Sequence, residues 1–442
     1  MPYDEYELME DMEFEDEEWE ITDRPTNTAF IATVLRQGES IEAVNDTLDE
    51  LERLADTAGI DVLGRQYQRR NKPERSTYFG KGFLEDLQQK MLQAQAELLI
   101  INEELSPMQA RNIEKTFNIH VIDRTEVILS IFHDHAKTKE ARLQISLAEL
   151  QYQLPRLKRL WGHFDKERGS ARSAGGSASR GMGEKQIEID KRLIREKISK
   201  IGRIISQIMH QKVTQRKQRS STKKVCLVGY TNAGKSTLFN VLTDANVLVE
   251  DKLFATLDST SRQLKLSTGY PIVLSDTVGF ISNLPHHLVA SFRATLMEVQ
   301  DADLLLHLVD VSDERYEYYI NQVNSVLAQI KADGIKQILV LNKADRLDNT
   351  LTSLISKAYP DAVLISALEG TNLEQLTETV VNRIFKQILL RLCLPYTKTS
   401  LLSKMHDIAT VYSEEYKEDG IHLNVTIDED LLYLVEEYIS VL

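Results

Sequence analysis

Val225-Cys226-Leu227-Val228-Gly229-Tyr230-Thr231-Asn232-Ala233-Gly234-Lys235-Ser236-Thr237 reads as a short apolar strand that passes through a glycine-bounded turn into a helix. The strand covers Val225 to Val228, and the helix runs from Thr237 through Leu242. The glycines let the backbone wrap an anion closely, and the N–H groups at the helix start face it. In such a turn Lys235 reaches β- and γ-phosphate oxygens, and Ser236 offers its hydroxyl to Mg²⁺. An ordinary glycine-rich turn seldom sits between a strand and a helix in this way. The fold class that follows is α/β.

Further segments fall in the order a nucleotide site needs. Val273 to Ser275 is an apolar strand ending in Asp276-Thr277-Val278-Gly279. Asp276 stands where an anchor for Mg²⁺ belongs, acting through the metal's outer shell, and the Gly279 N–H lies near a γ-phosphate. Thr256, between the phosphate turn and Asp276, holds the position of a switch hydroxyl that grips Mg²⁺ only while the γ-phosphate is present. Leu339-Val340-Leu341-Asn342-Lys343-Ala344-Asp345 reads the base. The Asp345 carboxylate accepts from guanine N1–H and the N2 amine, so adenine is rejected by about 10⁴ or more. Lys343 lays its stem along the ring, and Asn342 ties this loop to the phosphate turn. Ser366-Ala367-Leu368 offers a backbone N–H to guanine O6. The expected cofactors are GTP or GDP with Mg²⁺. Phe280 follows Gly279 where a glutamine commonly positions the attacking water, and a phenyl ring cannot do that. Lys235, Thr256 and Gly279 are therefore the catalytic set, and slow hydrolysis that a partner accelerates is the expectation.

Outside this core the charge is unevenly spread. The net charge is −14, yet from Arg156 to Lys224 Lys and Arg outnumber Asp and Glu about threefold. Trp161, His163 and Phe164 lie within that basic stretch, which suits an RNA backbone with rings to stack. Residues 1–24 form an acidic tail, read as a solvated arm. Strands and helices alternate across 25–137, implying an N-terminal α/β domain with a parallel sheet. Residues 138–218 read as a helical hairpin, Lys139 to Lys158 and Glu184 to about Arg216, around a Gly/Ser-rich basic loop at about 165–183. The nucleotide domain takes 219–390, its mostly parallel sheet carrying helices on both faces. A small α+β domain takes 391–442, with strands at Ile408–Val411 and Ile421–Ile427 and a helix over Asp430–Ser440. The two cysteines, Cys226 and Cys393, lack zinc-ligand spacing and a disulfide framework. With no membrane-length apolar run and no basic leader, a cytoplasmic protein is expected.

Beyond these readings, the chain from about residue 28 onward resembles the HflX family of ribosome-associated GTPases. Tyr78-Phe79-Gly80-Lys81-Gly82, Glu104 through Asn112, Val121-Ile122-Asp123-Arg124-Thr125, Leu154-Pro155-Arg156-Leu157 and Arg180-Gly181-Met182-Gly183-Glu184-Lys185-Gln186 carry the resemblance. So do Phe254 to Asp258 and Asp276 through Phe280. The resemblance implies GTP hydrolysis, binding to the large ribosomal subunit and its RNA, and dissociation or rescue of stalled ribosomes under stress. It also implies a secondary ATPase activity of the N-terminal domain. A cytoplasmic protein that associates with ribosomes or peripherally with membrane, a monomer and no engagement of DNA are further expectations. Where the family loop reads Gly-Pro-Gly-Glu-Thr-Gln, this chain has Met182 and Lys185, and Ser259 replaces a common proline. Alternatives are a ribosome-assembly GTPase and a small-molecule phosphotransferase. The latter has no use for the base-reading run at Asn342 to Asp345.

Overall fold

The computed structural model describes residues 28–157, 178–217, 222–243, 253–254, 260–265, 271–282 and 293–440. The acidic tail, Trp161, most of the Gly/Ser loop and Thr256 lie outside the described residues. The chain divides into two compact units, residues 1–130 and 131–442.

In the first unit β1 (Thr28–Leu35), β2 (Asp61–Arg69), β3 (Leu98–Ile101) and β4 (His120–Asp123) form a parallel sheet in the order β2-β1-β3-β4. All four residues of β3, Leu-Leu-Ile-Ile, are buried, as a strand covered on both faces requires. The intervening helices are α1 (Ile41–Thr57), α2 (Lys81–Ala94) and α3 (Pro107–Phe117). Ser106 starts α3 through a reciprocal capping box with Gln109, and Pro107 takes the first helical position, where no N–H is needed. A fourth helix, α4 (Arg124–His135), which begins in the first unit and ends in the second, escapes the sequence reading. Val127, Ile128, Leu129, Ile131 and Phe132 are all buried. Burial on so much of its girth erases the one-sided stripe that marks an amphipathic helix.

The second unit opens with α5 (Lys139–Gln153), which gives way at Pro155 to a 3₁₀ turn, Leu154–Arg156. It packs on α6 (Ala178–Lys217) through Leu143, Ile201 and Ile205, with Leu147, Leu150 and Ile208 beside them. The helix begins at Ala178 rather than Glu184. Ala178, Arg180 and Met182 favour helix enough to carry Gly181 and Gly183 along.

A six-stranded sheet follows in the order β10-β9-β8-β5-β7-β6. Its strands are β5 (Lys223–Gly229), β6 (Thr260–Lys265), β7 (Pro271–Asp276), β8 (Leu304–Asp310), β9 (Gln337–Asn342) and β10 (Val363–Leu364). Only β6, at the edge, runs antiparallel to its neighbour. Its Thr-Ser-Arg-Gln-Leu-Lys sequence is too polar to announce a strand. The helices are α7 (Lys235–Thr243), α8 (Arg293–Gln300), α9 (Tyr316–Gln329), α10 (Asn349–Ala358) and α11 (Leu373–Ile384). The core joins Val225, Leu227, Phe239, Leu306, Val340 and Leu376. Fully burying such side chains stabilises by about 1.5–3 kcal/mol each, and it fixes the strand ends that carry the site.

The last sheet, β11 (Gln387–Leu394), β12 (Thr410–Lys417) and β13 (Gly420–Asp428), is antiparallel in the order β11-β13-β12. Two expectations are corrected here. Ile408 ends a helix, α12 (Thr399–Ile408), and the strand starts at Thr410. In place of a helix over Asp430–Ser440 there are two 3₁₀ turns, Glu429–Leu434 and Glu436–Tyr438. Leu431, Leu434, Val435, Tyr438 and Ile439 pack onto the sheet; their i, i+3, i+4, i+7, i+8 spacing is the stripe of an amphipathic helix, and it is what makes the segment read as one. Among the described residues no helix is long and apolar enough to cross a membrane.

Candidate active site

The loop from Gly229 to Lys235 lies between the end of β5 and the start of α7, at the carboxyl edge of the sheet, where doubly wound folds place their ligands. Gly234 has φ +90°, and a Cβ there would collide with the Asn342 carboxamide. Asn232 is exposed with φ 62°, while Thr231 and Ala233 are buried and Thr237 half-buried. The Lys235 ammonium is buried and donates to the carbonyls of Gly229 at 3.2 Å and Tyr230 at 2.8 Å. Burial lowers its pKa to about 8, against the attraction of Asp276.

Ser236 Oγ donates to Asp276 Oδ2 at 2.7 Å. Asp276 is fully buried, which raises its pKa, while Lys235 and Ser236 pull it back. Among the described residues neither Asp276 Oδ1 nor Thr231 Oγ1 meets a hydrogen-bond partner. A buried polar atom left so costs about 1–3 kcal/mol, which marks a place built for a further polar group. A hydroxyl beside a carboxylate is a hard-oxygen pair, and it fits Mg²⁺. Thr256, the other candidate metal ligand, falls outside the described residues.

Beyond Asp276, Thr277 Oγ1 donates to the Leu227 carbonyl at 2.7 Å, fixing β7 against β5. Val278 is half-buried. Gly279 passes so close to the phosphate loop that a Cβ would sit 2.9 Å from Thr231 Cα and 3.1 Å from the Lys235 ammonium. Phe280 is buried, and its backbone bridges the loop: its N–H donates to Gly229 O at 3.0 Å, and its carbonyl accepts from Thr231 N at 2.8 Å. Its ring is therefore core, not a group facing an attacking water.

The residues that the sequence assigns to base reading converge by tertiary contact. Asn342 ends β9 and is buried. Its Nδ2 donates to the Ala233 carbonyl at 2.9 Å, and its Oδ1 accepts from Ala367 N at 2.9 Å. Asp345 Oδ1 accepts from Ser366 Oγ at 2.6 Å, which aims the carboxylate. The Ala367 N–H assigned to guanine O6 thus also serves Asn342. Leu368, the next residue, is exposed. Lys343 adopts φ 63°, and its ammonium pairs with Asp310 Oδ2 at 2.6 Å.

Several supporting residues were not legible in the sequence. Asp310, at the end of β8, holds Lys343 while also accepting from the Ser312 N–H and hydroxyl. The Tyr230 ring lies 4.3 Å from that of Tyr319 on α9, and its hydroxyl accepts from the Ser282 N–H at 2.7 Å. One tyrosine of the phosphate loop thereby grips the segment after Phe280. His307, on β8, is pushed down to about 4 by burial and by Lys235, so it adds no charge beneath the loop. Leu253 and Phe254 are buried, and the Phe254 ring meets Phe132 edge-on at 4.6 Å.

Three family models match the chain in sequence order: the GTP-binding GTPase N-terminal region over residues 45–133, the GTP-binding GTPase middle region over 135–219, and the 50S ribosome-binding GTPase over 224–343. The GTPase HflX of Magnetococcus marinus is 41% identical, the match covering 92% of this chain and 94% of the relative. The chain belongs to the HflX GTPase family. Escherichia coli GTPase HflX is 38% identical over 85% of this chain and 88% of its own length. A GTP-binding protein from Sulfolobus solfataricus, solved with GDP, is 25% identical, with 80% of this chain and 98% of that one covered at a TM-score of 0.41. HflX membership accounts for both the first sheet and the helical pair that precede the nucleotide loop.

Proposed function

We propose that this chain binds GTP with Mg²⁺, hydrolyses it to GDP and phosphate, and in its GTP form binds the large ribosomal subunit so as to dissociate or rescue stalled ribosomes. The observation that carries the guanine reading is the pair of tethers at Asn342 and Asp345. In this reading Lys235 stabilises the β- and γ-phosphate oxygens, and the other residues of 229–237 wrap them with backbone N–H groups. Ser236 and Thr256 hold Mg²⁺ directly, and Asp276 orients its shell. The Gly279 N–H meets the γ-phosphate. Asp345 reads N1 and N2 of guanine, Lys343 covers the ring, and O6 shares the Ala367 N–H or takes that of Leu368. Mg²⁺, when bound, supplies charge neutralisation at the β- and γ-oxygens.

Because Phe280 is committed to packing, the chain brings no water-positioning side chain at that place, and turnover stays slow until a partner completes the site. The matched 50S ribosome-binding GTPase model and the HflX relatives support the large subunit as that partner. The domain plan read from the sequence stands with this proposal, the helical pair carrying its basic loop to RNA. A secondary ATPase of the N-terminal domain rests on the resemblance alone, and ATP turnover surviving in a Lys235→Ala chain tests it.

The deciding experiment is co-sedimentation with purified ribosomal subunits in a non-hydrolysable GTP analogue, in GDP and without nucleotide. Retention on the large subunit only with the GTP analogue is expected. Sedimentation indifferent to nucleotide would defeat the proposal.

A further inference from the structure

The C-terminal sheet gathers a thiol, an imidazole and a carboxylate far from the nucleotide loop in sequence. Cys393 on β11 and His422 on β13 are register partners, so their side chains share one face of the sheet. Cys393 Sγ lies 3.7 Å from His422 Nε2, and that nitrogen is 2.9 and 3.0 Å from the two carboxylate oxygens of Asp419. One donor atom from each of the three residues lies within 4.8 Å of the others. Tetrahedral zinc with sulfur at about 2.3 Å and nitrogen at about 2.0 Å separates those ligands by about 3.5 Å. The Cys393–His422 distance exceeds that figure by about 0.2 Å. Nitrogen and oxygen ligands stand about 3.3 Å apart, so Asp419 needs to withdraw by only a few tenths of an ångström.

Two independent features point the same way. Glu415 on β12 is the register partner of His422 on its other side, so thiol, imidazole and carboxylate line up across three adjacent strands. Its carboxylate is paired with the Lys417 ammonium at 2.9 Å, and it is the next oxygen donor the register supplies. Gly420, between Asp419 and Ile421, has φ +146°, and a Cβ there would lie 3.2 Å from Cys393 Sγ and 2.7 Å from the Leu394 carbonyl oxygen. Lacking a Cβ, Gly420 lets the turn approach the sulfur, and the Cys393 thiol donates to the Asp419 carbonyl at 3.9 Å.

We propose that Cys393, His422 and Asp419 form a zinc site, with water or Glu415 in the fourth position. A mixed sulfur, nitrogen and oxygen set suits Zn²⁺ over the hard cations Mg²⁺ and Ca²⁺. Binding displaces the thiol proton of Cys393, and Nε2 of His422 must present its lone pair, so affinity rises with pH. The metal pins the β12–β13 turn to β11.

The full-length chain tests this with Co²⁺ as an optical probe and Zn²⁺ as competitor, in excess Mg²⁺ and GDP so that the nucleotide site is filled. A thiolate-to-cobalt charge-transfer band at one equivalent, abolished by Zn²⁺ and absent in Cys393→Ser, is the expected result. Absence of that band, or its survival in Cys393→Ser, overturns the proposal. Thiol labelling gives a second readout, because Cys226 is buried and the native chain presents only Cys393. Zinc protects Cys393 from labelling in the unaltered chain and fails to do so in His422→Ala. Equal labelling with and without zinc in the unaltered chain also overturns it. GDP affinity stays unchanged in both variants.

Discussion

Asn342 donates to the Ala233 carbonyl and accepts from the Ala367 N–H, both at 2.9 Å, so one side chain fastens the base-reading loop to the phosphate loop and to the segment after β10. Asn342→Ala leaves two buried backbone groups unpaired at once, at about 1–3 kcal/mol for each. Nucleotide affinity is expected to fall by at least about tenfold with thermal stability reduced, as fluorescent-GDP titration and thermal unfolding report. A variant binding GDP as tightly as the parent would remove Asn342 from this role.

Asp345→Asn replaces an acceptor with a group that also donates. GTP affinity is expected to drop by about 10³- to 10⁴-fold, while xanthosine nucleotides, whose C2 oxygen accepts, gain. Competition titration with both bases reads the ratio. If GTP and XTP lose affinity together, the carboxylate is not reading the base.

Burial sets the Lys235 pKa at about 8 against 10.5 for an exposed lysine. Between those values the unfolded chain keeps a proton the folded one has released, so stability of the nucleotide-free protein rises with pH across that window. Nucleotide binding runs the other way. Phosphate needs the ammonium, so above about pH 8 each binding event takes up a proton and affinity falls. Calorimetry of GDP binding in buffers of different ionisation heats detects this uptake, and its absence above pH 8 contradicts the assignment.

The edge-on contact of Phe254 with Phe132 ties the segment leading to Thr256 to the end of α4. Both rings are buried, and truncating either to alanine is expected to cost about 3 kcal/mol or more. The double variant costs less than the sum by about 0.5–1.5 kcal/mol, the worth of an aromatic pair. Strict additivity in the four unfolding free energies would show that the rings do not couple.

The proposed nucleotide site was readable in outline because its motifs are contiguous. Gly229 through Thr237 and Asn342 through Asp345 each place their groups by local backbone geometry, and their order along the chain supplies the rest. What supports them is assembled by folding. Nothing near Asp310 in sequence announces that it will hold Lys343, and Tyr319 meets Tyr230 only because α9 packs beside β5 and β8. The same limit hid α4, buried on too much of its surface to show a stripe, and β6, too polar to look like a strand. Cysteine spacing does not show the neighbours of Cys393 for a related reason. Its partner His422 lies across a sheet, where antiparallel register and not linear distance decides neighbours.

Thr260 and Asp276 stand on the same rung of the β6–β7 pair. Thr256 precedes that rung by four residues in sequence, so the chain can carry it at most about 14 Å from Thr260. Six consecutive rungs, from Thr260–Asp276 to Lys265–Pro271, join β6 to β7 and set this edge of the sheet beside the buried carboxylate. The far end of the pair, Lys265 opposite Pro271, lies about 17 Å along the strand from that rung.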